Sequence, residues 1–152
     1  MHFEGTVDIS APRERVWDFV SDPEKVSRCG PDVQRVDVID PTHFKVVARA
    51  GVGPIRTTFA LDVVFTELRA PDHASVHARG RAPGSAVEMT NTLDLVDGPS
   101  GRTTLRWASD VTVSGMIASV GARLMQGAAD KVTQQVFACI KEQLEAPAPA
   151  IT

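Results

Sequence analysis

Phe3, Gly5, Val7 and Ile9 alternate with Glu4, Thr6 and Asp8, a period of two that predicts a strand with one buried face. The period then changes. Val16, Trp17, Phe19 and Val20 fall on one side of a short helix, with Ser10 as its expected N-cap and Pro12 in its first turn. Asp22-Pro23 repeats the cap-then-proline signal and predicts a second short helix over Pro23 to Arg28, ended by Gly30-Pro31. From Val33 to Val113 the chain reads as six strands: Val33 to Ile39, Phe44 to Ala50, Ile55 to Leu68, Ala74 to Ala82, Ala86 to Val96 and Thr103 to Val113. Turn signals at Asp40-Pro41, Gly51 to Pro54, Pro71-Asp72, Pro83-Gly84 and Asp97 to Gly101 separate them at hairpin spacing. After Gly115 apolar residues recur every four positions, from Met116 through Val120, Leu124, Ala128, Val132, Val136 and Ile140 to Leu144. That recurrence predicts one long C-terminal helix.

Strand, two short helices, six strands and a long helix describe an α+β domain, in which a curved antiparallel sheet grips the terminal helix. Alternation sorts the strand side chains into faces. Phe59, Leu61, Val63 and Phe65 face inward on one strand, and Val76, Ala78, Gly80 and Ala82 on the next. Val87, Met89, Asn91, Leu93 and Leu95 face inward on a third strand, and Leu105, Trp107, Ser109 and Val111 on a fourth. The opposite face carries Asp62, His77, Arg79, Arg81, Glu88, Asp94, Arg106 and Asp110. Ala78, Gly80 and Ala82 leave one strand nearly bare. Gly121, Ala122, Gly127, Ala128 and Ala129 do the same for the helix opposite. Small residues facing small residues permit either close backbone approach or a pocket. The sheet is too broad for one small-residue helix to fill, so the expectation is a partly hollow interior with adaptable methionine walls.

The composition narrows the function. A chain of 152 residues buries about 68–70% of its unfolded surface as one domain. The expected division is a single domain over residues 1–145, followed by a Pro/Ala-rich tail or linker over 146–152. A net charge of −3 supplies no cationic field for nucleic acid. The start MHFEGTVDIS is acidic and alternating, unlike a signal peptide, and no run approaches the ~18 apolar residues of a membrane span. Cys29 and Cys139 lack CxxC or Cys/His spacing, so the expectation is two reduced thiols in a cytoplasmic protein. No metal site is expected.

Chemistry is scarce on the inward face. Asn91, Ser109 and Thr57 are its polar candidates, the chain has no tyrosine, and no GxSxG elbow is present. His2, His43, His73 and His77 all fall where water is expected. Gly51-Val52-Gly53-Pro54 opens a strand rather than a helix, so it lacks a phosphate-cradling amide cluster. Arg123 is the one charge between Val113 and Gln126; it snorkels into water, guards a pocket entrance or touches an anionic lipid surface.

The segments FEGTVDISAPRERVWDFVSDPEKV, GVGPIRTTF, ARGRAPGSA, LRWASDV and SGMIASVGARL together resemble the CoxG family of carbon monoxide dehydrogenase subunits, over residues 1 to about 145. That family lies in the START-like, polyketide cyclase-like (SRPBCC) superfamily. CGPDV departs from the pattern, with Asp32 where a glycine is expected after the proline. The resemblance implies a START-like helix-grip fold, a curved seven-stranded antiparallel sheet around a long C-terminal helix. It also implies a carbon monoxide dehydrogenase partner whose electrons must reach the membrane. The leading expectation is therefore a non-enzymatic carrier of a hydrophobic ligand, an isoprenoid quinone such as menaquinone, with no covalent cofactor, working in the cytoplasm at the inner face of the cell membrane. Met116, Val120, Leu124 and Met125 are expected to line a tail channel, and Ala128 to belong to the same ligand site. Phe59, Met89, Asn91 and Trp107 are placed nearer the head, and Leu61, Ala78, Gly80 and Leu93 complete the wall. The alternatives are an assembly, maturation or recruitment factor with a filled core, and a cyclase or hydrolase with an ionisable group in its pocket.

Overall fold

Seven strands, all antiparallel, form one sheet. The computed structural model describes residues 1–145, so the expected tail over 146–152 lies outside the described residues. The strands are β1 (His2–Ile9), β2 (Val33–Asp40), β3 (His43–Val52), β4 (Ile55–Arg69), β5 (His73–Ala82), β6 (Ser85–Asp97) and β7 (Thr103–Gly115). The sheet order is β1-β7-β6-β5-β4-β3-β2. The meander from β2 to β7 runs across the sheet and returns beside β1, with His2 opposite Asp110 and Ile9 opposite Thr103. Two short helices, α1 (Arg13–Val20) and α2 (Pro23–Ser27), carry the chain from one sheet edge to the other, and α3 (Ala122–Glu145) crosses the inner face. Register shifts between Val33 and Arg35, Val38 and Asp40, and Phe65 and Glu67 increase local twist and curl the sheet around the helix.

The alternation read from the strands holds. Phe59, Val63, Phe65, Ala78, Leu95 and Leu105 are buried, because a residue pointing inward places its second neighbour inward too. Asp22 caps α2 by accepting from the N–H groups of Glu24 (2.9 Å) and Lys25 (3.1 Å). Ser10, expected to cap α1, does not. That helix starts at Arg13 behind Pro12, with no side-chain cap, and three residues is too far for a serine to reach the N2 or N3 amide. The Ser10 N–H instead donates to Glu145 Oε2 at 2.6 Å, tying the last turn of α3 to the end of β1. This bond is the first cause of the lowered Glu145 pKa.

Two further expectations are corrected. The run from Met116 onward is not one helix: Met116–Val120 is a 3-10 turn, and α3 begins only after Gly121 at φ 95°. That dihedral breaks a right-handed helix and is readily adopted by glycine alone. Upstream, Gly115 has φ 81°, and a Cβ there would stand 2.1 Å from the Gly84 carbonyl oxygen, which accepts from the Met116 N–H at 2.8 Å. The second correction concerns the cysteines. Cys29 and Cys139, 110 residues apart, form a disulfide with Cα atoms 5.4 Å apart, within the usual span of such bridges. Spacing along the chain carried no sign of this, since the pair meets only when α3 docks beside the end of α2.

The buried side chains form two groups. One joins Ile9, Val16, Trp17, Val20, Leu95 and Leu105 to Ile140 and Leu144 of α3. The other gathers Phe44, Val46, Ala48, Val63, Phe65 and Ala78 on β3 to β5. Leu95, 2% exposed, belongs to the first. Its replacement by alanine is expected to cost about 2–5 kcal/mol, measured by urea unfolding, whereas a loss under 1 kcal/mol would mean that this end of the core is loosely packed.

Candidate functional site: an apolar cavity between sheet and helix

A cavity of about 440 Å³ separates the two cores, within the ~300–1,000 Å³ of small-molecule sites. Its floor is the inner face of β6 and β7, where Met89, Asn91 and Leu93 stand opposite Val111, Ser109 and Trp107. Phe59 and Leu61 of β4 and Ala48 of β3 form one wall, and Met125, Ala128, Val132 and Val136 of α3 form the roof. The lining residues with polar side chains are Asn91, Thr92, Ser109 and Thr133, and no lining side chain is ionisable. Asn91 and Ser109 are direct cross-strand partners, so the floor carries one small polar spot on an otherwise apolar surface. Trp107 lies beside it across Gly5, where a Cβ would meet the indole at 3.0 Å, and its ring sits 5.7 Å from that of Phe137. Gly5 thus gives the indole room to lie flat against β1.

Of the residues expected to line a ligand site, Phe59, Leu61, Met89, Asn91, Leu93, Trp107, Met125 and Ala128 border this cavity. Ala78 belongs to the second core instead. The space above Gly80 is filled, because a Cβ there would stand 2.6 Å from Leu61 Cδ2 and 2.7 Å from Val87 Cγ1. The bare strand is covered by its neighbours leaning over it. Met116, Val120 and Leu124 also lie outside the lining. The break at Gly121 rotates the stripe, leaving Met116 56% and Leu124 42% exposed, with Met116 against Gly84 and Leu124 against Gly53. Nothing lies within 4 Å of a Cβ built on Gly121 or Gly127; both face outward, and only Ala128 and Ala129 of the small-residue set line the cavity. Thr57 does not border it.

Residues not anticipated include Phe3, Ala50 and Val52 at the rim and Val132 and Val136 in the roof. The alternation of β1 and the four-residue repeat of α3 already placed Phe3, Val132 and Val136 on inner faces, whereas Val52 falls in the stretch read as a turn, because β3 runs on through it. What the repeat lacked was the knowledge that these elements meet around one space.

The cavity has a closed end and an open one. Its closed end abuts the core of α1 and the last turns of α3. Met1, Gly51, Val52 and Met125, which keep exposure, place its mouth at the other end, among the β3–β4 hairpin, the start of β1 and the first turns of α3. There the stretches 49–60, 79–87 and 111–129 contain Arg49, Arg56, Arg79, Arg81 and Arg123 and no acidic residue. Arg123 is exposed. Among the described residues only Arg79 of these five has an acidic partner, Glu88 at 3.7 Å.

All four histidines lie on the outer face or edge of the sheet, each beside a carboxylate: His43 with Asp62 (2.5 Å), His73 with Asp94 (2.6 Å) and His77 with Glu88 (2.9 Å). The bond from His77, followed by the charge of Arg79, holds Glu88 below the ordinary carboxylate range. His2 lies between Glu4 (3.0 Å) and Asp110 (2.8 Å), and these hydrogen bonds raise its pKa above 6.5, Glu4 foremost. None of these groups reaches the cavity lining, and no cluster of three metal-ligating side chains occurs among the described residues.

The architecture is that of the START-like helix-grip proteins. A conserved protein from Geobacillus kaustophilus superposes with a TM-score of 0.89 at 20% identity, with 95% of each chain covered. A START superfamily protein from Mycobacterium smegmatis gives 0.69 at 14% identity, covering 95% of this chain and 97% of that one. The Zhui aromatase/cyclase from Streptomyces sp. R1128 also gives 0.69, at 15% identity and 95% and 93% coverage. Within that class the chain belongs to the CoxG family of carbon monoxide dehydrogenase subunits, which it matches over residues 5–145. No curated protein matches its sequence significantly.

Two outcomes follow from the geometry. Ala128→Trp places an indole in the roof and is expected to weaken binding of an apolar fluorescent probe at least ~10-fold, or about 1.4 kcal/mol. Gly127→Trp, on the outward side, is expected to leave it unchanged; equal titrations for the two variants would show that the probe binds elsewhere. For His2, a folded pKa above the unfolded value of about 6.5 means a stabilisation complete below that value and lost as pH rises through the folded pKa. An NMR titration is expected to give a His2 midpoint above that of the urea-unfolded chain, lowered by Asp110→Asn. A midpoint equal in both states would remove the interaction.

Proposed function

We propose that this protein carries a hydrophobic molecule, an isoprenoid quinone such as menaquinone, between the membrane and a carbon monoxide dehydrogenase. The observation that carries the reading is the apolar cavity with a polar pair, Asn91 and Ser109, on its floor. Hydrophobic transfer scales with apolar area removed from water, so a tail moving from bilayer to apolar pocket gains and loses little, and transfer is reversible. Asn91 and Ser109 can hydrogen-bond a ring carbonyl, and Trp107 offers a flat surface to a planar head. The family supplies the partner: its name implies association with carbon monoxide dehydrogenase, and electrons leaving such an enzyme require an acceptor.

Delivery to and from a bilayer is supported by the mouth. Among the described residues no helix is long and apolar enough to cross a membrane, so contact there falls to the surface. Arg49, Arg56, Arg81 and Arg123 lie in the same three stretches at this end as exposed Met116 and Leu124, and basic residues near an anionic leaflet each contribute about 1 kcal/mol. An assembly or recruitment factor with a filled core is disfavoured by the cavity. One structural neighbour is an aromatase/cyclase, but the lining here offers no ionisable side chain for acid or base work.

The test is uptake from vesicles. Protein incubated with menaquinone-loaded vesicles, separated and extracted, is expected to carry quinone detectable by mass spectrometry. Uptake should be faster from phosphatidylglycerol vesicles than from neutral ones, slower in high salt, and several-fold slower for Arg123→Glu. Absence of quinone after incubation with either vesicle would overturn the carrier; uptake indifferent to lipid charge would overturn mouth-first docking.

A further inference from the structure

The disulfide lies just behind the cavity wall, where residues on either side of each cysteine form the lining. Cys29 follows α2, and Val26 and Pro31 on either side of it line the cavity; Cys139 sits on α3 among Val136, Phe137 and Ile140, which line it too. The seam between these two sets of residues is the side of the cavity opposite β1. Across the seam Cys29 shares the buried core of Ile140 and Leu144; α2 otherwise packs mainly on α1, β2 and β3, and α3 on β3, β1 and α1, with its last turn held by the Ser10 to Glu145 bond. The bond between Cys29 and Cys139 is the covalent link across that seam, and it ties the later turns of α3 to the residues that follow α2.

We propose that the Cys29–Cys139 disulfide is a redox-operated latch behind the cavity wall, shut when oxidised and released by a dithiol reductant, so that reduction speeds the exit of whatever the cavity holds. Cys29 is 4% exposed, while Cys139 keeps partial exposure, so the entering thiolate attacks Cys139 Sγ. The intramolecular S–S bond breaks and Cys29 leaves as a thiolate, which takes a proton from water. The second thiolate of the dithiol then attacks the reductant sulfur of the mixed disulfide, closing the reductant's own disulfide and freeing the Cys139 thiolate, which also takes a proton from water. Two electrons and two protons have passed to the protein, and exchange with a small-molecule disulfide reverses the sequence. Without the bridge, Val26 and Pro31 can part from Thr133 and Val136, which gives the cavity a second doorway away from the mouth.

The latch requires a cavity but not a quinone, so its test uses Nile red. Full-length protein oxidised with glutathione disulfide or reduced with dithiothreitol is loaded with the dye and diluted into phosphatidylcholine vesicles. Dye is expected to leave the reduced form at least ~10-fold faster, and Cys139→Ser should leave at the fast rate whether or not dithiothreitol is present. Amide hydrogen exchange is expected to rise on reduction at residues 26–31 and 133–140 while Leu95 and Leu105 stay protected. Equal dye rates with equal exchange in the two forms overturn the latch, as do two alkylatable thiols after treatment with glutathione disulfide. Exchange that rises at Leu95 and Leu105 as well makes the bridge a general staple and also overturns it. If the oxidised protein takes up no dye, the carrier reading fails, and exchange alone then decides the latch. If Cys139→Ser does not fold, reduction of the native chain supplies the comparison.

Discussion

A helix can offer a sheet only one stripe of side chains, and here that stripe has to cover the inner face of seven strands. Helix–sheet packing closes when the stripe is as wide and as bulky as the surface it meets. Over its C-terminal half α3 satisfies that condition with Phe137, Ile140 and Leu144 set against α1, β1 and β7. Over its first half it presents Met125, Ala128 and Ala129, which are too short to touch the floor. The sheet cannot flatten to meet them, since its bulges and its long strands hold it curled. The apolar area left over is the cavity, and the two cores are what remains of a single one divided by it.

From that mismatch comes the difference between the ends of the molecule. Where side chains are large, the chain is stapled: Asp22 caps α2, Arg13 bonds Asp72 at 2.7 Å, and Glu145 holds Ser10. Where they are small, the chain turns on glycines, and the helix begins with an exposed turn whose Leu124 rests on a hairpin tip. A ligand entering there meets little that must be unfolded, because the yielding parts are loops and the unyielding parts lie at the far end.

Charge follows the same division. Histidines and acids on the outer face hydrogen-bond one another in cross-strand pairs, of the kind that stabilise sheets modestly. The arginines of the mouth, Arg79 apart, lack such partners among the described residues. A protein with a net charge of −3 can thus present a basic rim to an anionic surface, for the local field there is set by the nearest charges once salt screens the rest.

The sequence by itself determined the element types and the faces. A strand shows its register in the alternation of Phe59, Leu61 and Val63, a helix in the recurrence of Val132, Val136 and Ile140, and a cap in Asp22-Pro23, because these signals depend on neighbours a few residues away. It also disclosed that the interior would be short of bulk. Only the tertiary structure decided where the shortage falls. Gly80 looks empty until Leu61 and Val87 lean over it. Met116 and Leu124 keep helical spacing across a break that only the dihedral of Gly121 makes. Cys29 and Cys139 become partners through the docking of elements 110 residues apart. A cavity is a property of surfaces brought together, and spacing along a chain carries no record of which surfaces will meet.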